Sequence, residues 1–178
     1  MIGSNGKNSD MTATEGDLFR CFDELGVDYV THLHPPVFTV AESQPVHLAM
    51  PGAHCKTLFL KDKNDVYLLA VVLADRRLDL KALGKCEDLP GGRLSFASEQ
   101  ALWERLGVRP GSVTPFALIN ETSRGIHILL DKAMMAFDIV NYHPLHNAAT
   151  TAVTPDALLR FIRHCGHAPL IVDFDALG

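Results

Sequence analysis

Three separated segments of this chain carry residues whose types could do chemistry. In Ala53-His54-Cys55-Lys56-Thr57-Leu58-Phe59-Leu60-Lys61-Asp62, Lys56 stands at the start of a strand-like apolar run. Gly111-Ser112-Val113-Thr114-Pro115 is a Gly-x-x-x-Pro loop leading into a second such run. In Asn141-Tyr142-His143-Pro144-Leu145-His146-Asn147 a His-Pro-Leu loop is followed by the small and hydroxyl residues Ala148-Ala149-Thr150-Thr151. A lysine, a glycine loop that exposes its backbone and a histidine are the parts of a small hydrolytic pocket that tolerates an anion. Each alone has an ordinary reading: a strand-edge lysine reaching for water, a turn, a loop corner. Their combination in this order is what points to a site.

Other chemistries are poorly supported. Neither Gly-x-Gly-x-x-Gly nor Gly-x-x-x-x-Gly-Lys-Ser/Thr occurs, which removes nucleotide-binding loops of those kinds. Gly-x-Ser-x-Gly, the common serine-hydrolase elbow, is also missing. The chain has 9 histidines, and His32-x-His34, His143-x-x-His146 and His164-x-x-His167 invite a metal reading. A metal needs three or four ligands converging on one point. Pro144 separates His143 from His146, and a helix end at Gly166 separates His164 from His167, so neither metal nor cofactor is expected. The 4 cysteines (Cys21, Cys55, Cys86 and Cys165) form no Cys-x-x-Cys pair and read as small buried side chains.

The elements that must position these residues follow from periodicity and punctuation. Thr14 to Leu25 reads as an amphipathic helix with Leu18, Phe22 and Leu25 on one face and Gly26 as its stop. Val27–Leu33 reads as a strand ended by His34-Pro35-Pro36. Thr39-x-x-Glu42 caps a short helix that Pro45 should interrupt. Cys55–Leu60 and Val66–Leu73 form a hairpin, and Phe116–Ile119 with Ile126–Leu130 a second one. Leu78–Leu83 reads as a helix closed by Gly84. Ser98 caps Glu99–Leu106, and Thr154-Pro155-Asp156 starts a helix running to about Cys165. Leu170–Phe174 is a final strand. This irregular alternation predicts an α+β domain, a single mixed, largely antiparallel, barrel-like sheet with flanking helices. Residues 1–11 form a tail expected to be disordered, and 12–178 a single domain.

Composition sets the outer bounds. At 178 residues, with 47% hydrophobic and 21% charged residues, the chain can bury a core without staples. Its longest apolar run, Tyr67–Ala74, is too short to cross a bilayer. No membrane association and a cytoplasmic location are expected. A net charge of −5 opposes general charge-driven binding of nucleic acid. Half of the 16 basic residues nevertheless fall between Lys56 and Arg93, interleaved with acids.

The chain resembles the YbaK family, the freestanding relatives of the editing domain inserted in bacterial prolyl-tRNA synthetases. The resemblance spans roughly residues 15–175. It rests on His34-Pro35-Pro36-Val37-Phe38, Lys56-Thr57-Leu58-Phe59-Leu60-Lys61-Asp62, Gly111-Ser112-Val113-Thr114-Pro115 and His143-Pro144-Leu145-x-Asn147. The most similar subgroup is the alanyl-tRNA(Pro) deacylases of the ProX type, which share the His-Pro-Leu segment and the Ile171-Val172-Asp173-Phe174 end. That subgroup often has asparagine where this chain has Thr57.

The resemblance implies hydrolysis of the ester joining a wrong amino acid to a tRNA 3′ end, most simply alanine on tRNA(Pro), without a cofactor. Cysteine or serine as the amino acid removed, or a non-catalytic nucleic-acid-binding module, are the alternatives. It further implies that Lys56 holds the phosphate near the terminal adenosine and that Gly111-Ser112 offers N–H groups to an oxyanion. His143 would wall the pocket or orient water. Thr57, Ser112, Pro115 and Asn147 are expected around the substrate, with Arg76 and Arg77 as phosphate contacts. The implied partners are the acceptor end of tRNA(Pro) and prolyl-tRNA synthetase, and a monomer is expected.

Overall fold

The computed structural model describes residues 12–89 and 92–177, so the tail expected over residues 1–11 lies outside the described residues. Eight strands form one mixed sheet: β1 (Val30–Leu33), β2 (Ala53–Lys61), β3 (Tyr67–Leu73), β4 (Ser95–Phe96), β5 (His127–Asp131), β6 (Val140–Tyr142), β7 (Ala149–Val153) and β8 (Leu170–Val172). Their order is β1-β7-β6-β2-β3-β5-β8, with β4 beside β2. The β1–β7, β6–β7, β2–β3 and β2–β4 pairings are antiparallel. The β2–β6, β3–β5 and β5–β8 pairings are parallel.

The first expected hairpin forms in register from Cys55↔Leu73 to Lys61↔Tyr67. The second does not. Pro115–Ile119 is a 3-10 helix whose Thr114 side chain accepts from the Phe116 N–H, and β5 lies parallel between β3 and β8. A four-residue apolar run cannot distinguish strand from buried helix, and proline at its head favours the helical start.

Most helices sit where their caps place them. Helix α1 (Glu15–Leu25) carries a Thr14–Asp17 capping box and ends at Gly26. Helix α2 (Val40–Ala49) begins with the Thr39–Glu42 capping box and runs through Pro45 without a break. A proline there removes one N–H donor, and the capping box offsets that loss. Helices α3 (Leu80–Leu83), α4 (Glu99–Leu106) and α5 (Pro155–His164) are capped by Asp79, Ser98 and Thr154. The final strand stops at Val172, and Phe174–Ala176 turns into a 3-10 helix.

Both faces of the sheet are covered, which explains why Tyr67–Leu73 contains no charged residue. On one face Phe22, Phe116 and Phe161 meet edge to face, their ring centroids 5.2–5.7 Å apart, with Leu69 and Val71 beneath. On the other, Leu68, Ala70 and Val72 pack with Leu60, Leu83 and Leu129. One edge of β2 holds β3 along most of its length. The opposite edge touches β6 only at Ala53 and His54, and β4 only at Leu60 and Lys61. Between those contacts, among the described residues, Cys55–Leu58 has no strand beside it on that edge. The sheet opens there. Gly52, at φ 97°, lets β2 and β6 begin side by side before the opening, because a Cβ on it would stand 2.6 Å from the Ile139 carbonyl.

Candidate active site

The opening leads into a cleft of about 220 Å³. Lys56, Thr57, Gly111 and His143, four of the residues singled out by sequence, line it together. No aspartate or glutamate lines it, and Lys56 is its one lysine or arginine. Lys56 is half-buried, and desolvation lowers its pKa from the ordinary lysine value, with Asp75 opposing the shift. Among the described residues no carboxylate comes within ion-pair distance of it. A partly desolvated ammonium with no carboxylate in contact is a site for an anion.

The histidine opposite has a defined tautomer. His143 follows β6 directly, and its Nδ1–H donates to the Ala149 carbonyl at 2.9 Å. In the neutral ring Nε2 then carries a lone pair. Burial, with His34 and His146 nearby, lowers the His143 pKa, so the ring is neutral at pH 7. The loop bearing it is held by its neighbours. His146 donates from Nε2 to the Glu15 carboxylate and accepts from the Ala148 N–H at 3.2 Å. Leu145 sits at φ 73°, a strained position for a branched residue, and marks a tightly determined turn.

Three predicted site residues lie behind the cleft wall. Ser112 is buried and its N–H donates to the Arg109 carbonyl at 3.0 Å, so that group is not offered to an oxyanion. Pro115 is buried at the head of its 3-10 helix. Asn147 clamps Val37, donating from Nδ2 to the Val37 carbonyl at 3.1 Å and accepting from its N–H at 3.4 Å.

Arg76 is not a free phosphate contact. Its Nε donates to the fully buried Asp131 at 2.7 Å and its Nη1 to Asp175 at 2.8 Å. Those bonds raise its pKa. Arg77 beside it is exposed, three residues past the cleft-lining Ala74. Lys61 pairs with Asp65 at 3.0 Å. It lies about 17 Å along β2 from Lys56 at the usual strand rise, too far to share a contact with it.

Among the cleft residues given no role in the sequence reading, four stand out. His54 is two residues before Lys56, and that spacing puts both on one strand face. Its Nε2–H donates to the Met50 carbonyl at 3.0 Å. His47, on α2, stacks on it with ring centroids 4.2 Å apart. Burial, with His54 and His143 beside it, pushes His47 down to about 4. Phe38 reaches the cleft from the loop before α2. Asn141 donates from Nδ2 to the Pro51 and Ala53 carbonyls, both at 3.0 Å, which ties β6 to the start of β2. Only contact across the sheet distinguishes these from surface residues. Cys55 also lines the cleft, but burial raises its thiol to about 12, far from a thiolate nucleophile. Among the described residues no cluster of three or more His, Cys, Asp or Glu side chains could hold a metal.

Comparison with known proteins agrees on one family. The model for the aminoacyl-tRNA editing domain matches residues 34–161. The chain is 41% identical over 145 residues, 80% of its length and 84% of the relative's, to the prolyl-tRNA synthetase associated domain-containing protein 1 of Bos taurus. It is 30% identical over 159 residues to the prolyl-tRNA editing protein ProX of Acetoanaerobium sticklandii, covering 89% of this chain and 95% of that one. The fold matches the crystal structure of a proposed trans-editing enzyme for prolyl tRNA synthetase with a TM-score of 0.64 and 22% identity, over 92% of this chain and 98% of that one. No helix among the described residues is long and apolar enough to cross a membrane.

Proposed function

The chain belongs to the aminoacyl-tRNA editing domain family, and from that premise we propose that it is a trans-editing hydrolase that removes alanine from mischarged tRNA(Pro). The observation that carries this reading is the Lys56 ammonium, in contact with no carboxylate, in a cleft lined by no acidic side chain and shared with the neutral His143. Such a cleft repels no phosphate and supplies the one charge that holds it.

In this reading Lys56 donates to the phosphate of the 3′-terminal nucleotide and so places the ester. Water attacks the carbonyl carbon, and the developing oxyanion accepts from the Gly111 N–H, since the Ser112 N–H is already bonded. His143 Nε2 accepts a hydrogen bond from the water and orients it. The bond from the carbonyl carbon to the ribose oxygen then breaks. One proton of the water ends on that oxygen, releasing the amino acid and a free tRNA 3′ end. No side chain becomes covalently attached.

Such an enzyme answers a specific problem. A synthetase pocket built for proline cannot exclude the smaller alanine well, because missing methylenes are worth only ~1–3 kcal/mol in binding. A second pocket that proline does not fit supplies the discrimination. The partners are then the acceptor end of tRNA(Pro) and, functionally, prolyl-tRNA synthetase, and the protein acts in the cytoplasm as a monomer. The test is a panel of Ala-, Cys-, Ser- and Pro-tRNA(Pro) incubated with the purified protein. We expect rapid loss of alanine and retention of proline. Preferential release of cysteine or serine moves the specificity to that amino acid. Equal rates for Ala- and Pro-tRNA(Pro) contradict the size sieve, and binding without turnover makes the protein a non-catalytic module.

A further inference from the structure

We propose that Phe38 is the stacking platform for the 3′-terminal base of the RNA, a nucleobase subsite at the mouth of the cleft; this rests on the editing reading above. Phe38 lines the cleft, yet its side chain is 69% exposed, so one face of the ring is open to a ligand.

The ring stands on a fixed backbone. The preceding Val37 is bonded to Asn147 through both its N–H and its carbonyl. The Phe38 N–H donates to the Glu42 carboxylate at 2.7 Å, and the Thr39 N–H donates to the same oxygen at 2.9 Å. Those bonds hold the Glu42 pKa below its ordinary value. The ring also rests against the glycine loop. A Cβ on Gly111 would lie 3.1 Å from Phe38 Cδ1, so glycine at φ 86° leaves the room the ring occupies. An aromatic surface is thus held beside Gly111 in a cleft whose one lysine or arginine is Lys56. Little ordering entropy remains to be lost on binding.

The ligand that matches these neighbours combines a flat ring, an anion and a carbonyl in one small group. A terminal nucleotide carrying an ester provides all three. The base lies on Phe38, the phosphate on Lys56 and the ester carbonyl at Gly111. Stacking also suits this protein's charge. A chain of net charge −5 gains little from long-range attraction to RNA, whereas stacking a base on an aromatic ring is sequence-tolerant and draws on the π-face rather than on charge.

A double-mutant cycle on binding tests this without relying on turnover. Uncharged acceptor-stem minihelices are used, one ending in CCA and one with an abasic 3′-terminal residue, against wild type, Phe38→Leu and Phe38→Trp. We expect Phe38→Leu to weaken binding of the CCA minihelix about tenfold. Removing the base should weaken wild-type binding by a similar factor, and the two losses should not add. Phe38→Trp should retain or raise affinity. Additive losses, or full affinity in Phe38→Leu, overturn the subsite. Deacylation of Ala-tRNA(Pro) measured beside it separates the two readings. A positive cycle without hydrolysis keeps the subsite and removes the editing activity, and hydrolysis with a null cycle does the reverse.

Discussion

Lys56 and Arg76 are two cations at the same end of the β2–β3 hairpin, and the molecule treats them in opposite ways. Lys56 pairs in register with Val72, and Arg76 lies three residues past Leu73. The arginine is satisfied: its side chain is 15% exposed and bonded to two carboxylates, one of them fully buried. The lysine meets no carboxylate among the described residues, and burial lowers its pKa. Charge type therefore does not separate the two cations; contact with a carboxylate does. Arg76 ties β3 to β5 and to the chain end after β8. Lys56 makes no such tie among the described residues, and the proposed role of phosphate contact falls to it.

The largest effect expected from this comparison is on stability, at the arginine. Removing Asp131 by Asp131→Ala leaves the Arg76 charge partly buried and half-paired, and losses of ~3–5 kcal/mol are typical for such sites. A fall in the denaturation midpoint of that order is expected, with deacylation per folded molecule retained. A stable Asp131→Ala protein would dissolve the distinction between the two cations.

A smaller effect separates the two arginines in RNA binding. Each phosphate neutralised on a single-stranded end contributes about −0.7 to the log–log salt slope. Arg77→Glu should flatten that slope by about 0.7, because Arg77 is exposed beside the cleft. Arg76→Gln should lower stability and leave the slope alone. Acceptor-stem affinity across a salt series reads both. A slope that responds to Arg76 and not to Arg77 would reverse their assignment.

Much of this was legible in the sequence. Helices α1, α4 and α5 were fixed by their capping residues, and the β2–β3 hairpin by its alternation of apolar runs and turn. That Lys56, Gly111 and His143 stand out was also legible, because each sits in a distinct local setting, and the fold brings the three to one cleft. What escaped depends on distance along the chain. Arg76 reaches its partners across 55 and 99 residues, and nothing near Arg76 distinguishes it from Arg77. One miss was local: the 3-10 helix at Pro115–Ile119 replaced an expected strand because a four-residue apolar run fits either state and the proline at its head favours the helical start. The stacked His47–His54 pair joins a helix to a strand that only the fold brings together.

The smallest expected effect comes from that pair. His47 titrates at about 4 in the folded protein and near 6.5 unfolded. Between those values the unfolded chain binds the proton and the folded one does not, so stability rises with pH across that window. It should be level above pH ~6.5 and fall as pH drops toward ~4, with His143 contributing in the same direction. His47→Gln should make the curve shallower over that window. An unchanged midpoint–pH curve in His47→Gln would show that the cleft does not hold this imidazole neutral.

The most direct test of the central claim is single-turnover deacylation of Ala-tRNA(Pro) by wild type and Lys56→Ala, with thermal midpoints recorded on the same samples. A charged hydrogen bond to an anion is worth ~1.5–3 kcal/mol, which corresponds to a loss of roughly 10- to 150-fold. We expect a loss of at least about tenfold with the midpoint unchanged, since no ion pair of the fold is broken. Activity within about twofold of wild type, or a loss explained by unfolding, would contradict the role of Lys56 and with it the account of the cleft.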